Sequence, residues 1–188
     1  MFGSGFRGSS RAQSHVEIDL RHFLIREWRR GDEGSLVRHA NNPNVSRNMR
    51  DRFPHPYTRA DADWWIGHAS AQMPPTNFAI VVDGEAAGGI GFILQEDVSR
   101  RSAEIGYWLG EAYWGRGIAT DAVRAMTDHI FANFDVCRIY ATVFESNPAS
   151  SRVLDNAGFV LEGRLRKAVT KSGETIDALM YAVLREDA

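Results

Sequence analysis

The sequence predicts an α/β protein in which a single mixed sheet carries helices on both faces. Three observations carry that prediction. Two β-rich runs, Asn77 to Val82 and Ala86 to Gln95, flank an Asp83-Gly84 turn, the pattern of a hairpin. Apolar residues Ala119, Val123, Met126, Ile130 and Phe134 recur at spacings of three and four, which gives a helix with one buried face. The remaining strand-like runs do not alternate strictly with helices, so the regular βα repeat of a doubly wound fold is absent. About seven strands are expected in all.

In chain order, Met1 to Ser14 is rich in Gly, Ser and Arg and reads as a flexible tail, with 15–188 as one domain. Leu20 to Trp28 is the first strand, broken at Gly31-Asp32 and followed by a helix over Glu33 to Ala40. Asn41-Asn42-Pro43-Asn44 marks a turn. Asn48 to Tyr57 mixes cationic, aromatic and proline residues in a loop that reads two ways. It is either a substrate-facing lip presenting Arg50, Phe53, Tyr57 and, from the next helix, Trp64, or a stiff connection whose Phe53 and Tyr57 plug the core edge. Thr58 and Asp61 form a capping box for that helix. The Asp61-Ala62-Asp63 triplet is explained by the helix dipole better than by a metal. Trp64, Trp65, Ile66 and Ala69 are expected to pack inward.

Gly88-Gly89-Ile90-Gly91 implies a bulge or close backbone packing within its strand, because no helix follows to make a nucleotide loop. Ser99 to Leu109 is the next strand and leads into a glycine loop and the long helix. Arg138 to Phe144 is a strand, and Asn147 to Asn156 a short helix ended by Gly158. Phe159 to Val169 and Ile176 to Leu184 are two last strands joined at Ser172-Gly173.

Composition narrows the class. A chain of 188 residues has enough core to fold without staples. A formal net charge of −2 gives no basic field for nucleic acid. No apolar run reaches membrane-spanning length, and the N-terminus has no hydrophobic signal core. Cys137 is the one cysteine, which rules out an internal disulfide framework and fits a cytoplasmic location. A buried structural thiol is its expected role. The six histidines show no metal-ligand spacing, so no metal is expected.

The chain is organised around Tyr107-Trp108-Leu109-Gly110-Glu111-Ala112-Tyr113-Trp114-Gly115-Arg116-Gly117-Ile118-Ala119-Thr120: strand, glycine loop, helix start. Gly115 and Gly117 free the turn from Cβ atoms, and the unpaired N–H groups of the helix's first turn suit a phosphate or pyrophosphate. The spacing from Gly110 to Gly115 mimics a P-loop, but Arg116-Gly117 stands where Lys-Ser/Thr is required. A dinucleotide fingerprint lacks its third glycine here.

What remains resembles the acetyl-CoA pyrophosphate loop of the GNAT acetyltransferases, Gln/Arg-x-x-Gly-x-Gly/Ala, with Trp114 in the first position and Gly117 and Ala119 in the last two. Flanking segments widen the resemblance. Glu104-Ile105-Gly106-Tyr107-Trp108-Leu109 precedes the loop. Asn147-Pro148-Ala149-Ser150-Ser151-Arg152-Val153-Leu154 follows it and closes on Gly158-Phe159. In this order the motifs are similar to the RimJ/RimL-like N-acetyltransferases. The resemblance implies a GNAT fold, a mostly antiparallel sheet whose central strands splay apart to admit the pantetheine arm. It implies acetyl-CoA as acyl donor with CoA as product. It also implies CoA contacts from the backbone of Tyr107, Trp108 and Leu109, from the loop Trp114, Gly115, Arg116, Gly117, Ile118, Ala119 and Thr120, and from Asn147, Ser150 and Arg152.

Ser150 is the candidate proton donor to the leaving thiolate, with helix capping as its alternative role. Glu104 is the candidate base. Strand alternation sets Glu104, Gly106 and Trp108 on one face, and a salt bridge to a neighbouring Arg is the other role open to that carboxylate. Asp177 could contact substrate or pair locally. Some ribosomal-protein members place a carboxylate where this chain has Val169. Reference pKa values of about 7.7–8.0 for an α-amine and about 10.4 for Lys leave far more neutral α-amine near pH 7. A chain without an unmistakable base therefore suits an α-amine better than a lysine side chain. The expected activity is acetyl transfer to a primary amine, a protein N-terminus or a small molecule, by direct attack in a ternary complex. The expected state is a monomer or homodimer without nucleic acid or membrane partners. A non-catalytic acyl-CoA sensor and an enzyme for a bulkier acyl-CoA are the alternatives.

Overall fold

The computed structural model describes residues 16–187, so the tail expected over residues 1–14 lies outside the described residues. The chain runs β1 (Glu17–Leu20), β2 (Phe23–Glu27), α1 (Glu33–Ala40), α2 (Pro43–Ser46), α3 (Arg59–Ser70), β3 (Asn77–Val82), β4 (Glu85–Leu94), β5 (Ser102–Leu109), α4 (Ile118–Asn133), β6 (Arg138–Phe144), α5 (Pro148–Asn156), β7 (Val160–Lys171) and β8 (Glu174–Leu184). The strands form one sheet in the order β1-β2-β3-β4-β5-β6-β8-β7. Every pair is antiparallel except β5 and β6. These two are joined through α4, as a parallel pair requires a crossover.

The sheet has eight strands where about seven were expected. The extra one is β1, which pairs with β2 across a turn at Arg21-His22. Neither turn residue is a Gly, Pro, Asn or Asp, so nothing in the local chemistry marks the break.

Two cores lie on opposite faces. Phe78, Ile80 and Val82 of β3 pack with Met126 and Ile130 of α4 and Leu154 of α5. Ala79 and Val81 of the same strand pack with Leu36 of α1 and Ala62 and Ile66 of α3. Burial on both faces explains why β3 reads as an unbroken apolar run. The glycines of β4 serve close packing, as expected. A Cβ on Gly88 would stand 2.5 Å from the Trp108 carbonyl oxygen, and one on Gly89 2.6 Å from Trp108 Nε1. The β3–β4 register also shifts at Ile80/Val81, so a bulge is present too.

Two side-chain expectations are corrected. Trp64 does not pack inward: it is 66% exposed and lies stacked on His68, with ring centroids 5.1 Å apart. Ala62, Ile66 and Ala69 already form the buried stripe of α3, and Trp64 stands about 200° around the helix from Ala62. Cys137 is half-buried, with its Sγ 3.5 Å from the Arg101 carbonyl, and not the fully buried thiol expected.

Candidate active site

The site begins with a strand edge left open. β5 pairs with β4 along its whole length, from Leu94↔Ala103 to Gly88↔Leu109. On its other side it pairs with β6 only over Ser102↔Arg138, Ala103↔Ile139 and Glu104↔Tyr140. From Ile105 onward the two strands part, while β6 continues along β8 to Phe144↔Ala178. Backbone direction alternates along a strand. Gly110 N–H donates to Ala87 O on the β4 side, and the Arg101 carbonyl accepts from Cys137 and Arg138 on the β6 side. The odd residues Ile105, Tyr107 and Leu109 therefore turn their peptide groups into the gap. At Gly106 an added Cβ would meet nothing within 4 Å.

The gap leads to the start of α4. Gly115 (φ 75°) and Gly117 (φ 79°) are left-handed, the conformation that costs glycine least. Gly117 is the N-cap of α4 and makes no side-chain cap. Among the described residues no side chain competes for the first-turn N–H groups of Ile118, Ala119 and Thr120, which suits an anion. Trp114 is half out in solvent, and its Nε1–H donates to the Leu109 carbonyl at 2.7 Å. This bond ties the loop to the strand end and occupies part of a peptide group expected to serve the ligand. Asn42 and Asn44 donate to the Glu111 carboxylate and brace the loop from outside. Arg116 lies 5.1 Å over the Tyr113 ring and lines a cleft of about 570 Å³ with Arg21 and His22.

The two faces of β5 carry different chemistry. On the α4–α5 face, Tyr107 Oη lies 2.8 Å from Ser150 Oγ and 3.2 Å from the Ser150 carbonyl. Burial pushes the Tyr107 phenol up to about 12, with the Ser150 bond opposing, so it keeps its proton through neutral pH. Asn147 is the residue that caps α5: its Oδ1 accepts Ser150 N–H at 3.3 Å. The Ser150 hydroxyl is thereby free of the capping role and bonds Tyr107 instead. Arg152 is exposed on α5.

On the other face, Glu104 forms an ion pair with Arg50, the salt bridge that was one of its two expected roles. Arg50 and Asp51 line a second cleft, of about 380 Å³, walled by Thr142 and Phe144 of β6 and by Leu165 and Val169 of β7. Lys171 Nζ is 2.7 Å from Asp51 Oδ1 and joins the lip to β7. The residues of the Asn48 to Tyr57 loop divide between a cleft and the core edge. Arg50 faces the cleft. Phe53 packs on Tyr57 (5.1 Å) and edge-on to Trp108 (5.5 Å), closing the core behind it. Tyr57 is buried, and burial followed by the nearby Asp61 charge pushes its phenol up to about 12. Trp64 lines neither cleft. Asp177 pairs locally, accepting from Arg164 and from Lys167 N–H, and those bonds hold its carboxyl below the usual range.

The sequence did not disclose the role of the Tyr107 phenol, the identity of Arg50 as the partner of Glu104, the Asp51–Lys171 pair or the place of Arg21 and His22 beside Arg116. Each joins residues far apart in the chain, where no local spacing signals contact.

A sheet wedged apart between its two parallel strands, above an uncapped helix start, is the architecture of the GNAT acetyltransferases. The sequence profile of the acetyltransferase (GNAT) domain matches residues 22–160. The chain belongs to that family and is a GNAT N-acetyltransferase of the RimJ/RimL-like kind. An uncharacterized N-acetyltransferase, p20, of Bacillus licheniformis is 30% identical over 168 residues, covering 88% of this chain and 94% of that protein. The ribosomal-protein-serine acetyltransferase of Escherichia coli (strain K12) is 34% identical over 105 residues, 56% of this chain and 58% of that one. Among solved structures, Mycobacterium smegmatis RimJ in complex with CoA-disulfide superposes with a TM-score of 0.75 at 28% identity, covering 87% of this chain and 82% of that one.

Proposed function

We propose that this protein transfers an acetyl group from acetyl-CoA to a primary amine by direct attack in a ternary complex. The observation that carries the reading is the open edge of β5, with a proton donor on one face and a carboxylate on the other. Acetyl-CoA supplies an activated thioester carbonyl when it is bound. The first-turn amides of α4, with Gly115, Gly117 and Arg116, fit its diphosphate, and the peptide groups of Tyr107 and Leu109 fit its amide-bearing arm. Tyr107 and Ser150 hold a proton on the α4–α5 side, where a leaving thiolate needs one. Glu104 takes the proton released by the amine, directly or through one water. Its partner Arg50 is 53% exposed and Glu104 itself 18%, so the pair is only partly screened by solvent, and the carboxylate acts as base once Arg50 has turned away from it. An α-amine, on a peptide or a small molecule, is the acceptor that places the least demand on such a base.

The test is free-thiol release from acetyl-CoA across a panel of peptide and small-molecule amines. Glu104→Gln is expected to lower kcat by about 10²–10⁴-fold, the span of general acid–base contributions. Ser150→Ala and Tyr107→Phe are expected to lower it by lesser factors, with the KM for acetyl-CoA little changed. Turnover untouched in all three variants would remove the mechanism. CoA binding without turnover of any amine would point to a sensor, and preference for a longer thioester to a different acyl donor.

A further inference from the structure

We propose that Arg50 recognises the acceptor and that the acceptor is a primary amine bearing a carboxylate close to that amine. The inference rests on the acetyl-transfer reading above and adds the class of acceptor to it. Arg50 Nη2 donates to Glu104 Oε1, so the cation at the cleft mouth is bonded to the carboxylate that must receive the amine's proton. The other cation lining this cleft, Lys171, is engaged by Asp51. Arg138, close by on the same face, is paired with Glu162 and lies over the Tyr140 ring at 5.1 Å. Arg50 is thus the cation whose partner has to be vacated for the reaction.

That arrangement sorts acceptors by charge. An amine with no anion of its own arrives as a cation beside a guanidinium and strips Glu104 from it, leaving Arg50 without a partner. An amine with a nearby carboxylate exchanges partners instead. The guanidinium fork closes on the incoming carboxylate, for which its geometry is suited, and Glu104 is released towards the amine. The charge in the cleft balances before and after. Val169, Phe144 and Leu165 add an apolar wall, and the carboxylate that also lines the cleft, Asp51, is held by Lys171. Arg50 is half in solvent and has room to turn, while Phe53 and the Asp51–Lys171 pair hold the lip beneath it.

Two sources present this chemistry: a free α-amino acid, and a peptide N-terminus with Asp or Glu at its second position. Matched pairs separate them. Thiol release is measured for L-amino acids against their amides, and for Ala-Asp-Ala-amide against Ala-Asn-Ala-amide, with the wild type, Arg50→Lys and Arg50→Met. The wild type is expected to favour the carboxylate member of at least one pair by about ten- to a hundredfold in kcat/KM, the worth of a hydrogen bond to a charged group. Arg50→Met brings that ratio to about one, and Arg50→Lys leaves an intermediate value. The amide of an amino acid loses its amine proton more readily, so chemistry alone biases the result against the proposal. Equal or better turnover of the neutral members, or a preference that survives Arg50→Met, overturns it while leaving acetyl transfer standing. No turnover of any amine, with CoA still raising the melting temperature, overturns the acetyl-transfer reading and this proposal together.

Discussion

At the scale of single residues, the two buried phenols make a prediction about alkali. Tyr57 and Tyr107 are each pushed from 10.0 to about 12, chiefly because burial disfavours the phenolate. A folded-state value above the unfolded one means that the contribution to stability is fully present below pH 10. It is lost as the pH rises through 12, because the unfolded chain gives up its protons first. These two groups are therefore expected to leave the denaturation midpoint unchanged below about pH 9.5 and to lower it between about pH 10 and 12. Tyr57→Phe and Tyr107→Phe should each flatten that fall, followed by urea titration at fixed pH. The same protonated Tyr107 predicts no loss of kcat from its ionisation until well above pH 10. A decline in both variants as steep as in the wild type would show that these phenols are not the cause.

At the scale of elements, the entry to α1 shows how a buried ion pair can replace a cap. Asp32 is the N-cap of α1, yet its side chain makes no cap bond. Both of its oxygens are taken by Arg26 of β2, with Nη1 to Oδ2 and Nη2 to Oδ1 each at 2.8 Å, and Arg29 N–H adds a third bond. The two side chains are only 6% and 8% exposed. Removing one partner strands a buried charge, so Asp32→Ala is expected to cost about 3–5 kcal/mol by chemical denaturation. Gly106 behaves in the opposite way. It is exposed, with open space where a Cβ would go, so Gly106→Leu should leave the melting temperature within about 2 °C, as surface changes do. The new side chain would stand in the gap on the Glu104 face, and thiol release should fall by at least about tenfold, the scale on which a misplaced reactant costs rate. A fall in stability in place of activity would move Gly106 from the site to the scaffold.

These elements also show what the sequence can and cannot report. α4, the β3–β4 hairpin, β6 and the Thr58–Asp61 capping box were legible because each is written in local periodicity or fixed spacing. β1 was not, because Arg21-His22 carries no turn chemistry. Trp64 was misread because an aromatic beside a buried stripe looks like part of it until the helical angle is counted. The glycine loop and Ser150 were singled out by ordered motifs, but their neighbours in space were not. Tyr107 and Ser150 are 43 residues apart, and Arg50 and Glu104 are 54 apart. Such pairs exist only once the sheet has formed.

At the scale of the whole molecule, the open edge divides the sheet into two blocks, β1–β5 and β6–β8, joined by three paired positions and by the packing of α4 and α5. A ligand seated in the gap completes the missing rung between them, so binding should be felt as stability of the whole fold. At 100 times its Kd, CoA adds about 2.7 kcal/mol, which for a chain of this size corresponds to a rise of roughly 5–11 °C in melting temperature. The local signature is sharper. Hydrogen exchange should slow at Tyr107 and Leu109, whose amides face the gap, and at Ile118, Ala119 and Thr120 at the start of α4. Amides of β3, already paired on both sides, should change least. If CoA raised the melting temperature while those five amides exchanged as before, the ligand would be binding elsewhere. The division of labour between the two faces of β5 would then have to be redrawn.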